Sequence, residues 1–376
     1  MNKVLTIENK NLADFEFKIL ASLSEFYGYK EQWNAINGQL LQKNPLMSYE
    51  WIASFLEGVE SDQSPFCVLL CSINGQLIAG LPLVLKRVKR FGIYINQLEL
   101  PFDNQTMSVD ILVIPGYEAY VIEPLLDRAF KAFKNVDQIV FRRIDGVNSS
   151  LSQLKSLKSS VSEYCEDGAS LTIPTNFSDY RNQLGKNFKS NLNKSNNKAK
   201  RLGKIEFSVH ELNGLSNLKK LDIVCKLEDS GWKGRDGTSI LKNIEDYDFY
   251  KRLISKLDKT YNLFFHFLMI EGEVVAANLG IRQGDKVLLW KLAYDEAFKK
   301  ISPGGLLLEK LISHLSETKE IKIIDLMTNE NWYNNWNMSW RPFHNVFIFK
   351  ASMKGHYLKS IFILKKLLKS VFNSVN

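Results

Sequence analysis

Apolar positions follow two rhythms along this chain, and the same order of rhythms occurs twice. Phe66 to Ile73 and Leu77 to Val84 are apolar runs of strand length on either side of Asn74-Gly75, a pair that favours a two-residue hairpin loop. Leu263 to Ile270 and Val274 to Ile281 flank Glu271-Gly272-Glu273 in the same manner. Laying Gly75 on Gly272 brings the small pair Ala79-Gly80 onto Ala276-Ala277, so the two halves read as structural repeats. Around the first hairpin the pattern predicts helices over Glu31 to Leu41, Tyr49 to Phe55 and Ile122 to Phe133. Strands are predicted over Tyr94 to Leu100, Asp110 to Ile114 and Gln138 to Arg142. Around the second hairpin, helices are predicted over Asn176 to Gly203, Leu215 to Gly231, Asp248 to Leu257 and Leu306 to Leu315. The accompanying strands are Ile205 to His210, Val287 to Ala293 and Ile321 to Leu326. The expected class is mixed α/β, with helices interleaved among mostly antiparallel strands.

Length and composition set bounds on this picture. With 376 residues, 45% of them hydrophobic, the chain is globular rather than disordered, and at roughly 150 residues per domain it holds two domains. The expected divisions are residues 1–170, residues 171–350 and a C-terminal helix over 351–376. The 4 cysteines, Cys67, Cys71, Cys165 and Cys225, form no Cys-x-x-Cys pair, and the 5 histidines lack metal-ligand spacing. Free thiols in a reducing compartment and no bound metal are the expectation. The segment MNKVLTIENKNLADFEF has no apolar core of signal-peptide type, and no apolar run approaches the ~20 residues of a membrane span. A cytoplasmic protein, soluble or attached to the inner face of a membrane, follows as the expected location.

The formal charge of +8 is unevenly placed. Lys86 to Arg90, Lys186 to Lys204 and Lys354 to Lys369 hold the basic excess without one acidic residue, so the rest of the chain is acidic. Nothing but Phe188 interleaves the middle segment for base stacking, which argues against a general nucleic-acid surface. The last segment alternates its lysines with Leu358, Ile361, Phe362, Leu364, Leu368 and Phe372, an amphipathic helix suited to an anionic membrane face or to docking on its own protein.

Candidate chemistry concentrates between Val287 and Leu315. A strand ending Lys291-Leu292-Ala293-Tyr294-Asp295 leads through Ser302-Pro303-Gly304-Gly305 into the helix beginning at Leu306. A glycine turn at a helix start aims unpaired N–H groups and the positive end of the helix dipole at a ligand, which suits a phosphate. An ordinary strand-to-helix turn with Pro in the first helical turn accounts for the same residues. No Gly-x-Ser-x-Gly elbow and no Gly-x-x-x-x-Gly-Lys loop is present, which disfavours a serine hydrolase or a P-loop enzyme. Trp332, Trp336 and Trp340 stand at helical spacing and, with Trp290, place four of the 7 tryptophans in this region.

Together with Leu227-Glu228-Asp229-Ser230-Gly231-Trp232-Lys233-Gly234 and Asp325, this order of elements resembles the Gcn5-related N-acetyltransferase superfamily. It resembles most the tandem-domain branch of Fem-type transferases and acetyltransferases associated with polysaccharide synthesis. The turn departs from that superfamily's Q/R-x-x-G-x-G/A pattern at Ile301 and Leu306. The resemblance implies two tandem acetyltransferase-like domains and an acyl-CoA, such as acetyl-CoA, as co-substrate. It implies that the donor lies beside Lys291, Leu292, Ala293 and Tyr294, with its pyrophosphate on Ser302, Gly304, Gly305 and Leu306. Asp325, Glu228 and Tyr333 become the candidate acid–base groups, and Trp232, Lys233, Trp290 and Trp332 the candidate acceptor contacts. The implied acceptor is an amine or hydroxyl of a small or carrier-linked sugar in surface polysaccharide or cell-envelope synthesis. Two alternatives remain: a Fem-like transferase using aminoacyl-tRNA, and a non-catalytic scaffold of a polysaccharide synthase.

Overall fold

Both hairpins form, and their turns explain their glycines. Asn74 and Gly75 have φ of 51° and 73°, and Glu271 and Gly272 have 51° and 79°, so each loop places two successive residues in the left-handed region that suits strand twist. These values come from a computed structural model, which describes residues 14–40, 43–211, 218–257 and 262–375. The start of the chain, Leu41 and residues 215–217 of the predicted helices, and the side chains of Lys369 and Phe372 lie outside what is described.

The chain forms two compact units, the first from Met1–Glu166 with Pro342–Asn376 and the second from Asp167–Arg341. This division differs from the expected boundary at 350/351, because the last strand and helix belong to the first unit. The first unit runs β1 (Phe15–Leu20), α1 (Leu23–Phe26), α2 (Lys30–Gln39), α3 (Tyr49–Ser61), β2 (Phe66–Ile73), β3 (Gln76–Arg90) and β4 (Ile93–Glu99). It continues through β5 (Leu112–Val113), α4 (Glu118–Ala132), β6 (Gln138–Asp145) and α5 (Ser149–Ser156). Strand β7 (Ser160–Thr172) carries the chain into the second unit. There follow α6 (Phe177–Gln183), α7 (Lys186–Leu202), β8 (Ile205–Glu211), α8 (Leu218–Ser230), α9 (Trp232–Arg235) and α10 (Ile244–Ser255). Then come β9 (Asn262–Ile270), β10 (Glu273–Gln283), β11 (Lys286–Tyr294), α11 (Pro303–Thr318) and β12 (Ile323–Asp325). Strand β13 (Ser339–Phe349) and helix α12 (Met353–Val375) complete the first unit.

The repeat read from the sequence is present in the sheet. In the first unit the strand order is β1-β2-β3-β4-β6-β13, and in the second it is β8-β9-β10-β11-β12-β7. Each order has antiparallel neighbours, then one short parallel ladder, then an antiparallel last strand. The parallel ladder pairs Gln97–Glu99 with Gln138–Val140 in the first unit and Lys286–Leu288 with Ile323–Asp325 in the second. The small pair at Ala79-Gly80 has a packing cause: a side chain at Gly80 would collide with the ring of buried Trp33 on α2. In the second unit, α11 covers the sheet through buried Leu306, Leu307, Leu308, Leu311 and Ile312, a stripe of helical period.

Candidate functional site

The site begins where two strands part. Strand β11 pairs with β10 along its length, but β12 accompanies it only from Lys286 to Leu288, so from Leu289 onward β12 leaves that edge of β11. A bulge marks the same place: Leu279 faces Lys291 while Gly280 faces Leu289, which makes Trp290 the extra residue. The indole Nε1 of Trp290 donates to the buried Tyr250 Oη at 3.0 Å and fixes the bulge from α10.

Beyond β11 the chain turns into α11 through Ser302, whose φ of 50° and ψ of 59° are left-handed. No side chain caps this helix, and Pro303 has no N–H, so the N–H groups of Gly304 and Gly305 open the helix without an intrahelical acceptor. A Cβ at Gly304 would stand 3.2 Å from Leu292 Cδ2, closer than an ordinary contact. Glycine therefore lets the first turn of α11 approach β11.

These two features open onto one cleft of about 370 Å³. Leu292, Tyr294, Ser302, Gly304, Gly305 and Trp332, all expected at the site, line it, as do Lys299 and Pro303. The opposite wall is α7, which contributes Phe188, Asn191, Leu192 and Ser195, while Asn335 and Trp336 close one side. In the sequence, α7 stands out only as a basic segment with Phe188 interleaved. Phe188, Leu192, Ser195 and Ala199 nevertheless recur at helical spacing, and Leu192 and Ala199 are buried. Phe188 packs edge-on against Trp336 at 5.0 Å between ring centroids. The other face of the helix presents Lys186, Lys194, Lys198, Lys200 and Arg201 to solvent.

A smaller cavity of about 40 Å³ lies at the same end of β11 and is lined by Glu228, Trp232 and Lys233 together with Leu292, Ala293, Tyr294 and Glu296. It gathers the acid–base candidate Glu228 and the acceptor candidates Trp232 and Lys233 beside the strand expected to carry the donor. Glu228 is buried; its carboxylate accepts from Lys233 Nζ at 2.5 Å and from the Ile240 amide at 2.9 Å. Arg235 and Glu296 form a two-bond clamp at 2.8 and 2.9 Å, and the indole of Trp232 is exposed.

Other expected residues lie elsewhere. Asp325 lines neither cavity: it is 1% exposed and is held by Lys286 Nζ at 2.5 Å and Arg341 Nη2 at 2.7 Å. Burial alone would raise its pKa, but these two cations hold the carboxyl below its ordinary range, so it is a buried counter-ion rather than a base at the cleft. Tyr333 also lines neither cavity. It packs in the apolar core, its hydroxyl 3.5 Å from Thr328 Oγ1, and burial raises its pKa. Leu306 and Ile301, the two departures from the superfamily turn, are buried core residues, and the Leu306 amide is spent on Ser302 O at 3.1 Å. Lys291 stands outside both linings, with its ammonium 5.6 Å from the Trp290 ring centroid. The three tryptophans do not share a helix: a short 3-10 turn ends at Trp336, Asn337 is left-handed, and Trp340 lies on β13. Among the described residues, His, Cys, Asp and Glu form no group of three or more that could hold a metal ion.

A sheet whose fourth and fifth strands diverge beside an uncapped glycine turn is the architecture of the Gcn5-related (GNAT) fold. Residues 186–335 match the family model described as an acetyltransferase (GNAT) domain. Among solved structures, FemX superposes with a TM-score of 0.55 at 12% identity, over 92% of this chain and 99% of that one. The C-terminal domain of a putative lysylphosphatidylglycerol synthetase from Agrobacterium fabrum gives 0.54 at 13% identity, over 91% and 97%. A tandem GNAT protein from the clavulanic acid biosynthesis pathway gives 0.50 at 8% identity, over 88% and 98%. At such identities these likenesses are of fold: the chain has the tandem GNAT architecture, and the matched segment, under half of its length, is similar to an acetyltransferase (GNAT) domain. No curated protein matches the sequence.

Proposed function

We propose that the second unit transfers an acyl group, taken from an acyl-CoA such as acetyl-CoA, to an amine or hydroxyl acceptor. The observation that carries this reading is the parting of β12 from β11 after Leu288, into the same cleft as the uncapped start of α11. The residues fit such a donor. The edge of β11 from Leu289 to Tyr294 suits an extended arm that pairs like an added strand, and the amides of Gly304 and Gly305 with Lys299 suit phosphate. When bound, the coenzyme supplies a thioester carbonyl open to attack.

The chain's own groups divide the remaining work. Backbone N–H groups on the freed edge of β11 suit the oxygen on which negative charge develops. Glu228, the buried carboxylate lining the smaller cavity, is the group we assign to take the acceptor's proton, with Lys233 orienting it. The exposed face of Trp232 beside that cavity suits stacking on a sugar ring. This favours a sugar acceptor, free or carrier-linked, as used in cell-envelope polysaccharide synthesis.

Calorimetry with acetyl-CoA tests the donor. Micromolar binding is expected, and Gly304→Trp is expected to weaken it by at least about 100-fold, on the order of 3 kcal/mol. Unchanged affinity in that variant overturns the site. Glu228→Gln is expected to lower turnover about 100-fold or more while coenzyme affinity is kept, and full turnover removes Glu228 from the proton transfer. A second reading, aminoacyl-tRNA as donor, is favoured by the solvent-facing basic side of α7, whose opposite side lines the cleft. Binding of charged tRNA without acetyl-CoA would select it, and binding of neither would select a non-catalytic scaffold of a synthase.

A further inference from the structure

Two of the three basic segments, far apart in sequence, come together in the first unit. The β3–β4 hairpin carries Arg87, Lys89 and Arg90 to a tight turn at Phe91-Gly92, where φ is 52° and 77°. Helix α12 docks beside it. Leu358 and Phe362 are buried against Ile95, Val140, Phe347 and Phe349, and Phe91 meets Phe362 edge-on at 5.5 Å. Lys354 ties the start of the helix to the hairpin, donating to Tyr94 O at 2.9 Å and pairing with Asp137 at 2.7 Å.

Docking uses one side of α12 and leaves an apolar stripe facing outward. Tyr357, Leu364 and Leu368 are exposed at helical spacing, and on the hairpin Phe91 and Tyr94 are exposed as well. Apolar side chains so exposed need an occupant. From Lys86 to Gln97 and from Met353 to Val375 there is no acidic residue, so a second copy of this surface would bring like charges together. Helix α12 is not a span either, since no helix among the described residues is long and apolar enough to cross a membrane. Lys354, Lys359 and Lys366 donate back to the first unit, while Lys365 on α12 and Arg87 and Lys89 on the hairpin are exposed. A cationic helix with an outward apolar stripe lies in the plane of a bilayer, and such exposed cations favour anionic headgroups.

We infer that α12 and the β3–β4 hairpin form one surface that binds the face of an anionic phospholipid bilayer, with Phe91, Tyr94, Leu364 and Leu368 entering the headgroup region. The hairpin widens this surface beyond the helix, and none of these residues lines the cleft in the second unit. Cosedimentation of the full chain tests it, using vesicles of phosphatidylcholine alone or mixed with phosphatidylglycerol. Binding is expected to the mixed vesicles only, and to fall about fivefold for each cation removed at Arg87 or Lys89. The pairs Phe91→Ser with Tyr94→Ser, and Leu364→Glu with Leu368→Glu, are each expected to reduce it by at least about tenfold. All four positions are exposed, and acetyl-CoA affinity and circular dichroism report that the variants fold. Full binding by the hairpin pair overturns the two-element surface. Equal binding to both vesicle types overturns the anionic preference. A dimer that Leu364→Glu with Leu368→Glu dissociates, without vesicle binding, assigns the face to a second copy instead.

Discussion

The two units have the same sheet, yet one keeps the site open and the other fills it. With Gly75 laid on Gly272, Ala79 and Gly80 pair with Val113 and Leu112 just as Ala276 and Ala277 pair with Tyr294 and Ala293. Strands β4 and β5 together thus correspond to β11, but they are interrupted by residues 100–111. That insertion turns inward. Gln105, Thr106, Ser108 and Val109 are buried, Thr106 Oγ1 accepts from Trp51 Nε1 at 2.9 Å, and Ser108 Oγ donates to Arg143 O at 2.7 Å. The following turn, Pro115-Gly116, leads into α4 as Pro303-Gly304-Gly305 opens α11. Here the Gly116 amide donates to Glu118 Oε2 at 2.8 Å, so a carboxylate of the chain itself takes up that amide. The same sheet thus has a filled edge in the first unit and an open cleft in the second. The difference is made by an insertion and one acidic residue, not by topology.

The largest effect expected from breaking this comparison is on stability. Each parallel ladder carries a buried carboxylate: Asp325 with Lys286 and Arg341 in the second unit, Glu99 with Arg142 in the first. Asp325→Ala strands two poorly solvated cations and is expected to cost about 3–5 kcal/mol in chemical denaturation, whereas replacing all three members by apolar residues should cost less. An equal loss in both variants would mean that packing, not charge, sets the penalty.

Next comes a pH effect of opposite sign in the two units. Asp110, buried in the first unit, has its pKa raised to about 6 by burial, despite hydrogen bonds from Ser150 and Asn148. A carboxyl raised above its unfolded value binds protons more tightly when folded, so its stabilising contribution grows as pH falls through 6. His266, buried in the second unit against Asn278, has its pKa lowered to about 4 by burial and by His314. Its contribution is complete above 6.5 and is lost as pH falls toward 4. From about pH 7 to about pH 5, the first unit should gain and the second lose on the order of 1–2 kcal/mol from these groups. Hydrogen exchange resolved by unit checks this, and His266→Gln should flatten the acid side of the second unit alone.

Two smaller effects sharpen the functional contrast. Glu118→Ala frees the turn of the first unit but leaves its insertion in place, so the number of coenzyme sites measured by calorimetry should not change; a second site would show that charge alone closes it. Trp232→Ala should raise the acceptor KM by roughly fivefold, about 1 kcal/mol, with coenzyme affinity unchanged.

Much of this organisation was legible in the sequence where glycine or apolar periodicity marks it. The Gly75 and Gly272 hairpins, β11, the Ser302 turn and α11 were all expected, as was the grouping of Leu292, Tyr294 and Gly304. Strand β7 was not expected, because Glu163 and Asp167 interrupt the alternation of Val161, Cys165, Ala169 and Leu171, and most of it is only half-buried. Strand β13 hid behind Pro342 and the tryptophans before it. Asp325 read as a candidate base because its two cations, Lys286 and Arg341, are remote in sequence and meet it only in the folded sheet. The lining side of α7 was hidden by its lysines, which report solvent on one side and say nothing of the other.

The exchange of last strands has a consequence for synthesis. Strand β7 precedes most of the unit it completes, whereas β13 and α12 follow the whole of the second unit and return to β6. During translation the second unit has every strand of its sheet once Asp325 emerges, but the first unit must wait with the edge of β6 unpaired until β13, ending at Phe349, emerges. The first unit's sheet therefore closes after that of the second. Premature termination before Ser339 would release a chain with a finished second unit and a first unit lacking its last strand, exposed to aggregation along β6.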